Sequence, residues 1–191
     1  MSMPVRYLLP GCCLLFSLCA TASDSRAVIH ASGTFYQGNL MLNQAAGDTH
    51  QQVNGRAISP GAMPEIRVEQ HREGVAADYI PSVMQAGISG DAFTGGSGVL
   101  GINQGAGAAN QQINGFRVGT GVRPESLDDS TLAQSAALAS PNSAAEPREA
   151  GERRVEIDDQ AFTDSRGVVQ LNQAAGVGNR MVNNLGIRIL E

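Results

Sequence analysis

Apolar and polar residues alternate at three places along the chain, and this alternation predicts strands. The apolar members of each alternating pair lie two residues apart: Leu40 and Leu42, Leu100 and Ile102, and Val169 and Leu171. Successive side chains of a strand point to opposite faces, so each pair gives its strand one apolar face. A second segment follows each pair and ends on another apolar residue: Ile58, Val118 and Ile187. Each place therefore predicts two strands in succession.

A glycine-rich turn is predicted between the two strands at each place. The segment there reads Asn-Gln-x-Ala-Gly in all three cases and ends at Gly47, Gly107 and Gly176. Glycine adopts the positive φ angles that tight turns need. The pairs Asn54-Gly55 and Asn114-Gly115 offer a second turn, because both residue types tolerate positive φ. The sequence leaves open whether this second point closes a hairpin or a flat arch.

The three places are copies of one repeat, and they align without a gap over residues 38–58, 98–118 and 167–187. A lone two-stranded unit is marginally stable in water, whereas stacked copies bury a shared apolar face. We therefore predict an all-β fold in which three imperfect strand-turn-strand repeats stack as a β-solenoid or cross-β array. Equivalent strands would lie about 4.8 Å apart.

Stacking in register would bring equivalent side chains into columns, which we call ladders. Amide side chains carry both donors and acceptors, so identical ones can hydrogen-bond along a stack. The predicted amide ladders are Asn43, Asn103 and Asn172; Gln44, Gln104 and Gln173; and Asn54, Asn114 and Asn183. The predicted apolar ladders are Leu40, Leu100 and Val169, and Leu42, Ile102 and Leu171. The open edges of the first and last copies match one another, so the ladders predict self-association.

An aromatic residue lies just upstream of each copy: Phe35, Phe93 and Phe162. The three rings could form one stack at the end of the repeats. They could equally anchor one by one on the apolar face, and the sequence does not choose between these arrangements.

The rest of the sequence divides into a leader and two linkers. Residues 1–22 combine a positive charge, an apolar run and an Ala-x-Ala site, which predicts a signal peptide and export through the periplasm. A short membrane anchor and a lipoprotein acylated at Cys19 are the alternatives. The repeats are assigned to residues 31–58, 90–118 and 159–189. The linkers, 59–89 and 119–158, are rich in Pro, Ser, Ala and charge, and we expect them to be disordered.

Composition argues against several classes of function. The formal charge is −5 at pH 7 and the chain has no lysine, so nothing indicates nucleic-acid binding. All three cysteines lie in the leader, which leaves the exported chain without a disulfide or a thiol nucleophile. His30, His50 and His71 lack the spacing of metal ligands, and Gly105-Ala106-Gly107 is not inside a βαβ unit. We expect no enzyme activity, metal or cofactor, and no membrane span once the leader is removed.

The repeat reads Gly-x-x-x-x-Asn-x-x-x-Gly-x-x-Asn-Gln-Gln-x-Asn, and this pattern resembles the fibre subunits of the Fap functional amyloid system of pseudomonads. Copy 2 carries the pattern in full from Gly98 to Asn114. Copy 1 departs from it at His50, and copy 3 departs at Arg180 and Met181. The pattern is less similar to curli subunits, whose repeats are shorter. The chain also ends without the Cys-x-x-Cys in which the major Fap subunits resemble one another.

The resemblance implies a secreted structural protein that assembles into extracellular amyloid fibres of the biofilm matrix, as a main, minor or nucleating subunit. The implied partners are other copies of the chain, related amyloid subunits and an outer-membrane export pore. Two alternatives stay open. One is a monomeric β-solenoid adhesin, and the other is a periplasmic carrier or chaperone of a related amyloid subunit.

Overall fold

The computed structural model describes residues 24–61, 64–72, 81–120, 132–136 and 151–189. The strands in these ranges are β1 (Asp24–His30), β2 (Gln37–Asp48), β3 (Gln51–Ser59), β4 (Val68–Arg72), β5 (Val83–Ser89), β6 (Ser97–Ala108), β7 (Gln111–Thr120), β8 (Leu132–Ala136), β9 (Glu152–Ile157), β10 (Arg166–Val177) and β11 (Arg180–Ile189). The described residues contain strands and no helix, which confirms the all-β prediction. In particular, they contain no helix with the length and apolar character needed to cross a bilayer.

Equivalent strands of the three copies pair with one another, whereas the two strands of one copy do not. Sheet 1 contains β1, β5 and β9; sheet 2 contains β2, β6 and β10; and sheet 3 contains β3, β7 and β11. Every pairing is parallel and in register, so Asn103 lies beside Asn43 on one side and Asn172 on the other. Parallel neighbours cannot be joined by a tight hairpin. Each copy therefore runs as an arch from one sheet to the next.

Each copy contributes one strand to each of sheets 1, 2 and 3, in chain order. Leu100 points from sheet 2 towards sheet 1, where it joins Ile29 in the main apolar core. The opposite face of sheet 2 lies against sheet 3 through amide side chains. A two-stranded sheet 4, β4 with β8, follows outside sheet 3, because Gln70 of β4 donates to the backbone carbonyl of Gln112 in β7. The apolar core thus occupies one side of sheet 2, and a polar network occupies the other.

The bend between the two strands of a copy comes later than predicted. Strands β2, β6 and β10 continue through the Asn-Gln pair and end one residue after the predicted turn glycines. Those glycines do have positive φ angles: +103° at Gly47, +111° at Gly107 and +152° at Gly176. The bend itself is centred on three other residues with positive φ: Thr49, Ala109 and Gly178.

The second predicted turn is wrong. Asn54-Gly55 lies inside β3 and Asn114-Gly115 lies inside β7, and neither glycine has a positive φ. Packing accounts for the small residue in copy 1, because a Cβ atom on Gly55 would lie 2.9 Å from Cγ2 of Ile66. The connection within a copy is therefore a single arch.

Parts of both predicted linkers are strands. β4 and β5 lie within 59–89, and β8 and β9 lie within 119–158, so the expected disorder is wrong for these segments. In β5 the inward side chains of Met84, Ala86 and Ile88 alternate and are fully buried. Their partners are Ser25, Ala27 and Ile29 in β1 and Arg153, Val155 and Ile157 in β9, so the isoleucine alone recurs in all three strands, which is too little repetition to reveal sheet 1 from the sequence. The predicted signal peptide, 1–22, lies outside the described residues.

The three phenylalanines do not form one stack. The rings of Phe93 and Phe162 stack with centroids 5.4 Å apart, whereas Phe35 is 74% exposed. Copies 1 and 2 are offset by 59 residues in sheet 1 and by 60 in sheet 2. Copy 1 therefore has one residue fewer than copy 2 in the turn that connects sheet 1 to sheet 2. As a result, the Phe35 ring lies beside Gly95.

Candidate self-assembly interface

The asparagine ladder of sheet 2 runs through all three copies. Asn103 Nδ2 donates to Asn43 Oδ1 at 3.0 Å, and Asn172 Nδ2 donates to Asn103 Oδ1 at 3.0 Å. The second hydrogen of each amide goes to a backbone carbonyl of sheet 3, that of Val53 at 2.9 Å and that of Ile113 at 3.0 Å. Both donating amides are buried, and buried amides need such partners.

A second asparagine ladder lies opposite the first in sheet 3. Asn114 Nδ2 donates to Asn54 Oδ1 at 2.9 Å, and Asn183 Nδ2 donates to Asn114 Oδ1 at 3.0 Å. The two ladders also meet, because Asn114 Nδ2 lies 3.1 Å from Asn103 Oδ1. An unsatisfied buried polar group costs about 1–3 kcal/mol. A slip of one residue would leave several of them, so this network holds the strands in one register.

The glutamine ladder points to the opposite face of sheet 2, as the two-residue period of a strand requires. Gln104 Nε2 donates to Gln44 Oε1 at 2.8 Å, and Gln173 Nε2 donates to Gln104 Oε1 at 2.8 Å. Nε2 of Gln104 also lies 3.0 and 2.9 Å from the carbonyl oxygens of Ala27 and Gly87 in sheet 1, which share its second hydrogen. Among the described residues, Gln173 Oε1 is buried and has no hydrogen-bond partner. The ladder thus ends at copy 3 on an unsatisfied acceptor.

Sequence analysis missed three further amide columns, which arise from the Asn-Gln-Gln triplet of the repeat. The contacts are Asn179 Nδ2 to Asn110 Oδ1 at 2.9 Å, Gln111 Nε2 to Gln51 Oε1 at 2.8 Å, and Gln52 Nε2 to Gln112 Oε1 at 2.6 Å. The copy 2 members of these columns are fully buried. The signal was present in the sequence, because two successive amides at the start of a strand, Gln111 and Gln112 of β7, put an amide on each of its faces.

Copy 1 has a histidine where copies 2 and 3 have Asn110 and Asn179. Nε2 of His50 lies 3.1 Å from the carbonyl oxygen of Ala46. Burial lowers the pKa of His50, although hydrogen bonds to backbone groups and the charge of Asp48 oppose that effect. The imidazole is therefore neutral at neutral pH, and its buried Nδ1 has no partner in the described part of the chain.

Arg56 is a second feature that belongs to copy 1 alone. Its guanidinium donates to Asn39 Oδ1 at 2.6 Å and to the carbonyl of Val99, in copy 2, at 2.8 Å. Copy 2 has Gly101 beside it, and a Cβ atom there would lie 3.2 Å from the guanidinium. Copy 1 is thus fitted to copy 2 by side chains that the other copies lack. Burial also lowers the pKa of Arg56.

The apolar ladders are covered only in the middle of the stack. Leu100, Ile102 and Ile113 of copy 2 have no exposed surface. Residues of the outer copies are exposed by 37 to 66%: Met41, Ile58, Val169, Val182 and Ile187. At copy 3 a groove of about 790 Å³ opens between β10 and β11 and is lined in part by Val169, Leu171, Val182 and Leu185. Apolar surface at an unpaired sheet edge is typical of an interaction site.

The candidate interface is therefore built from amide and apolar side chains. A family model described as the functional amyloid protein FapB/FapC family matches residues 17–190. The chain belongs to this family. The FapB/FapC family is a functional amyloid family of the biofilm matrix, so the predicted amyloid-forming, structural function is confirmed. No solved structure matches the fold.

The described side chains of this FapB/FapC chain are suited to association with further protein. The described residues include no group of three or more His, Cys, Asp or Glu placed to hold a metal ion. The amides offer donors and acceptors along the stacking direction, and the outer copies offer uncovered apolar side chains. Both kinds of surface are suited to a further copy of the same fold.

Proposed function

We propose that the fibre grows by stacking whole chains, with copy 3 of one chain against copy 1 of the next. One observation carries this proposal: the three copies already stack in parallel register and leave two unpaired ends. Continuing the same register places Asn43 of the next chain on Asn172 and Gln44 on Gln173. The unsatisfied Oε1 of Gln173 would then receive the hydrogen bond that its ladder lacks.

The apolar residues support the same junction. Leu40 and Leu42 of the next chain would cover Val169 and Leu171, and Val53 would cover Val182. These contacts would close the groove at copy 3, in the way that copy 2 is closed by its neighbours. Burial of apolar area is the main favourable term in association, and the amide network fixes where it occurs.

We assign self-assembly to the three predicted amide ladders and the two apolar ladders. In this assignment the amides set the register and the apolar side chains supply the driving force. We further propose export through the periplasm and an outer-membrane pore, an extracellular fibre, and association with related amyloid subunits. The family and the predicted leader support these proposals. A catalytic role is not part of the proposed function.

The test uses the exported chain, starting at Ser23, at neutral pH. Thioflavin fluorescence and fibre diffraction should show self-seeded fibres with reflections near about 4.7 and 10 Å. Because each chain supplies three layers about 4.8 Å apart, mass-per-length measurement by electron scattering should give one chain per about 14 Å. One chain per single layer would contradict the stacking of whole chains.

Two other outcomes would favour the alternatives. A cooperatively folded monomer that never seeds would indicate an adhesin with capped ends. A chain that delays the assembly of a related amyloid subunit without joining its fibres would indicate a carrier. The same assay tests the rank of this subunit as main, minor or nucleating. It uses a concentration at which a partner subunit forms fibres only when seeded, and it asks whether this chain forms fibres alone.

A further inference from the structure

Two columns of glycine bring the backbones of neighbouring copies into direct contact. In the first column a Cβ atom on Gly98 would lie 2.0 Å from the carbonyl oxygen of Gly38, and one on Gly167 would lie 2.0 Å from that of Gly98. No real Cβ atom approaches an oxygen so closely. Every added Cβ in this column therefore points from its own copy to the preceding one.

The second column points the other way. A Cβ atom on Gly47 would lie 1.8 Å from the carbonyl oxygen of Gly107, and one on Gly107 would lie 2.2 Å from that of Gly176. Each added Cβ here points from its own copy to the following one. The Cβ positions of the two columns thus face opposite sides of each copy.

Each column has one member that faces an open end of the stack. A Cβ atom on Gly38 would meet no atom of the described residues within 4 Å, because copy 1 is the first copy of the stack. Among the described residues, a Cβ atom on Gly176 would meet only side chains, Nδ2 of Asn179 at 3.1 Å and Cδ of Arg153 at 4.0 Å. In the isolated chain, therefore, neither glycine is required by a backbone contact.

We propose that Gly38 and Gly176 are the residues at which the backbones of successive chains touch, so that each glycine keeps one end of the chain open to the next. This inference rests on the proposed stacking of copy 3 on copy 1. Across that junction Gly38 would face the carbonyl of Gly167, and Gly176 would face the carbonyl of Gly47. A methyl group at either position blocks one end and leaves the other intact.

The two substitutions have different and complementary consequences. The Gly38→Ala chain keeps a competent copy 3 end, and the Gly176→Ala chain keeps a competent copy 1 end. Neither variant can form a fibre alone, because every junction needs both glycines. Mixed together, they can form one junction, between copy 3 of the first and copy 1 of the second, and the product must stop at two chains.

The experiment follows single fluorescent seeds of wild-type fibre under the microscope. Seeds treated with Gly38→Ala should stop growing at one end, and seeds treated with Gly176→Ala should stop at the other, each by more than about tenfold. Native mass spectrometry of the equimolar mixture should show a two-chain complex that neither variant forms alone. Capping by the intact end of each variant also demonstrates that the variant is competent to fold.

Two control glycines test the strain of a positive φ near that of Gly38, and capping of seeds tests it for Gly176→Ala, because the φ of Gly176 is +152°. Gly178→Ala changes another copy 3 glycine, with φ +73°, whose column contains Ala109 at φ +59° and Thr49 at φ +56°. Gly61→Ala changes a glycine with φ +99°, and no atom of the described residues lies within 4 Å of its Cβ position. Both controls should elongate at the wild-type rate.

Three results would overturn the inference: fibres from the mixed variants, both variants stopping the same end, or a variant that fails to cap any seed. Elongation of either variant alone at the wild-type rate would do so as well. The proposed function fails separately, if the wild-type chain and both controls form no cross-β fibre.

Discussion

The imidazole of His50 lies against Gly105 of the neighbouring copy, and a Cβ atom on that glycine would come within 3.2 Å of Nδ1. Copies 1 and 3 have Ala45 and Ala174 at the position of Gly105. In the column of His50, copy 2 has the smaller Asn110. The large side chain of His50 in copy 1 is thus accommodated by Gly105 in copy 2. Because copies 1 and 3 have alanine at that position, this pair favours copy 2 as the neighbour of copy 1.

Gly105→Ala should weaken the contact between copies 1 and 2, because the added methyl group forces the His50 ring aside. Overpacking of this kind typically costs about 1–3 kcal/mol. The second substitution His50→Asn installs the residue that the other copies use and should recover most of the loss. Denaturant titration of the assembled chain, read as a double-mutant cycle, measures the coupling. Independent, additive effects would show that ring and glycine do not interact.

Stability should fall in mildly acidic solution through His50. Burial lowers the pKa of this imidazole from its usual 6.5, so below about 6.5 the unfolded chain binds a proton that the folded chain still excludes. The associated stability is complete above the unfolded pKa and is lost as pH falls through the lowered folded pKa. Denaturant midpoints between about pH 8 and pH 5 should decline for wild type and stay flatter for His50→Asn. Equal declines for the two chains would exclude His50 as the source of the pH dependence.

Asn103→Asp should abolish stacking of the chain. The asparagine is fully buried and donates to Asn43 Oδ1 and the carbonyl of Val53. Aspartate would present oxygens to both acceptors and bury a charge, a change that costs about 3–5 kcal/mol. Adding Asn172→Asp would deepen the loss, because like charges would lie side by side.

Asn39→Asp is the matched control for this change. Its Oδ1 accepts from Arg56 at 2.6 Å, so a carboxylate keeps its partner there. The thioflavin half-time should stay near the wild-type value for this variant and lengthen beyond measurement for Asn103→Asp. Equal half-times for the two would exclude the asparagine ladder as a determinant of assembly.

Fibre growth should accelerate with ionic strength because like charges of sheet 1 would meet at the proposed junction. In the proposed junction Arg154 of one chain falls beside Arg26 of the next, and Glu152 falls beside Asp24, whereas copy 2 has the uncharged Gln85 and Val83 in these columns. Like charges directly opposite each other in a sheet are destabilising, and salt screens exposed charges. Each arginine also pairs with a carboxylate of its own strand, Arg26 with Asp24 and Arg154 with Glu156, so the repulsion in the proposed junction is partly offset.

Arg154→Gln, which copies the residue of the middle copy, should raise the elongation rate at low salt by about two- to fivefold. It should also flatten the salt dependence, as followed by seeded thioflavin kinetics. Arg166→Gln removes the same charge from a column whose other members are Ser97 and Gln37, and it should change neither quantity. A wild-type rate that falls with added salt would contradict the repulsive junction.

The register of sheets 2 and 3 could be predicted because the repeat is gapless across both. Equivalent residues recur at offsets of 60 and 69, so Asn43, Asn103 and Asn172 could align in only one way. The two-residue period then fixes which side chains share a face. The roles of the site residues in assembly stay predictions, but their neighbours in space were accessible from the sequence.

The parts that escaped prediction depend on contacts between unlike residues. Asn54-Gly55 has the local preference of a turn, yet Ile66 packs on the glycine and Asn54 donates to Asn43 of the facing ladder, so the pair stays extended. Sheet 1 escaped because only one of its columns, Ile29, Ile88 and Ile157, has the same residue in all three strands. Phe35 escaped because a single missing residue in one turn shifts it out of its column.

The direction of the amide hydrogen bonds has a consequence for the electric dipole of the fibre. Among the six amide columns described in and beside sheets 2 and 3, the amide of the later copy donates to that of the earlier one in five, and the Gln52–Gln112 pair runs in reverse. Backbone dipoles of neighbouring residues alternate along a strand and largely cancel, but these side-chain dipoles add. A fibre of chains stacked in one direction would then have a permanent axial dipole, positive at copy 1 and negative at copy 3, that increases with its length.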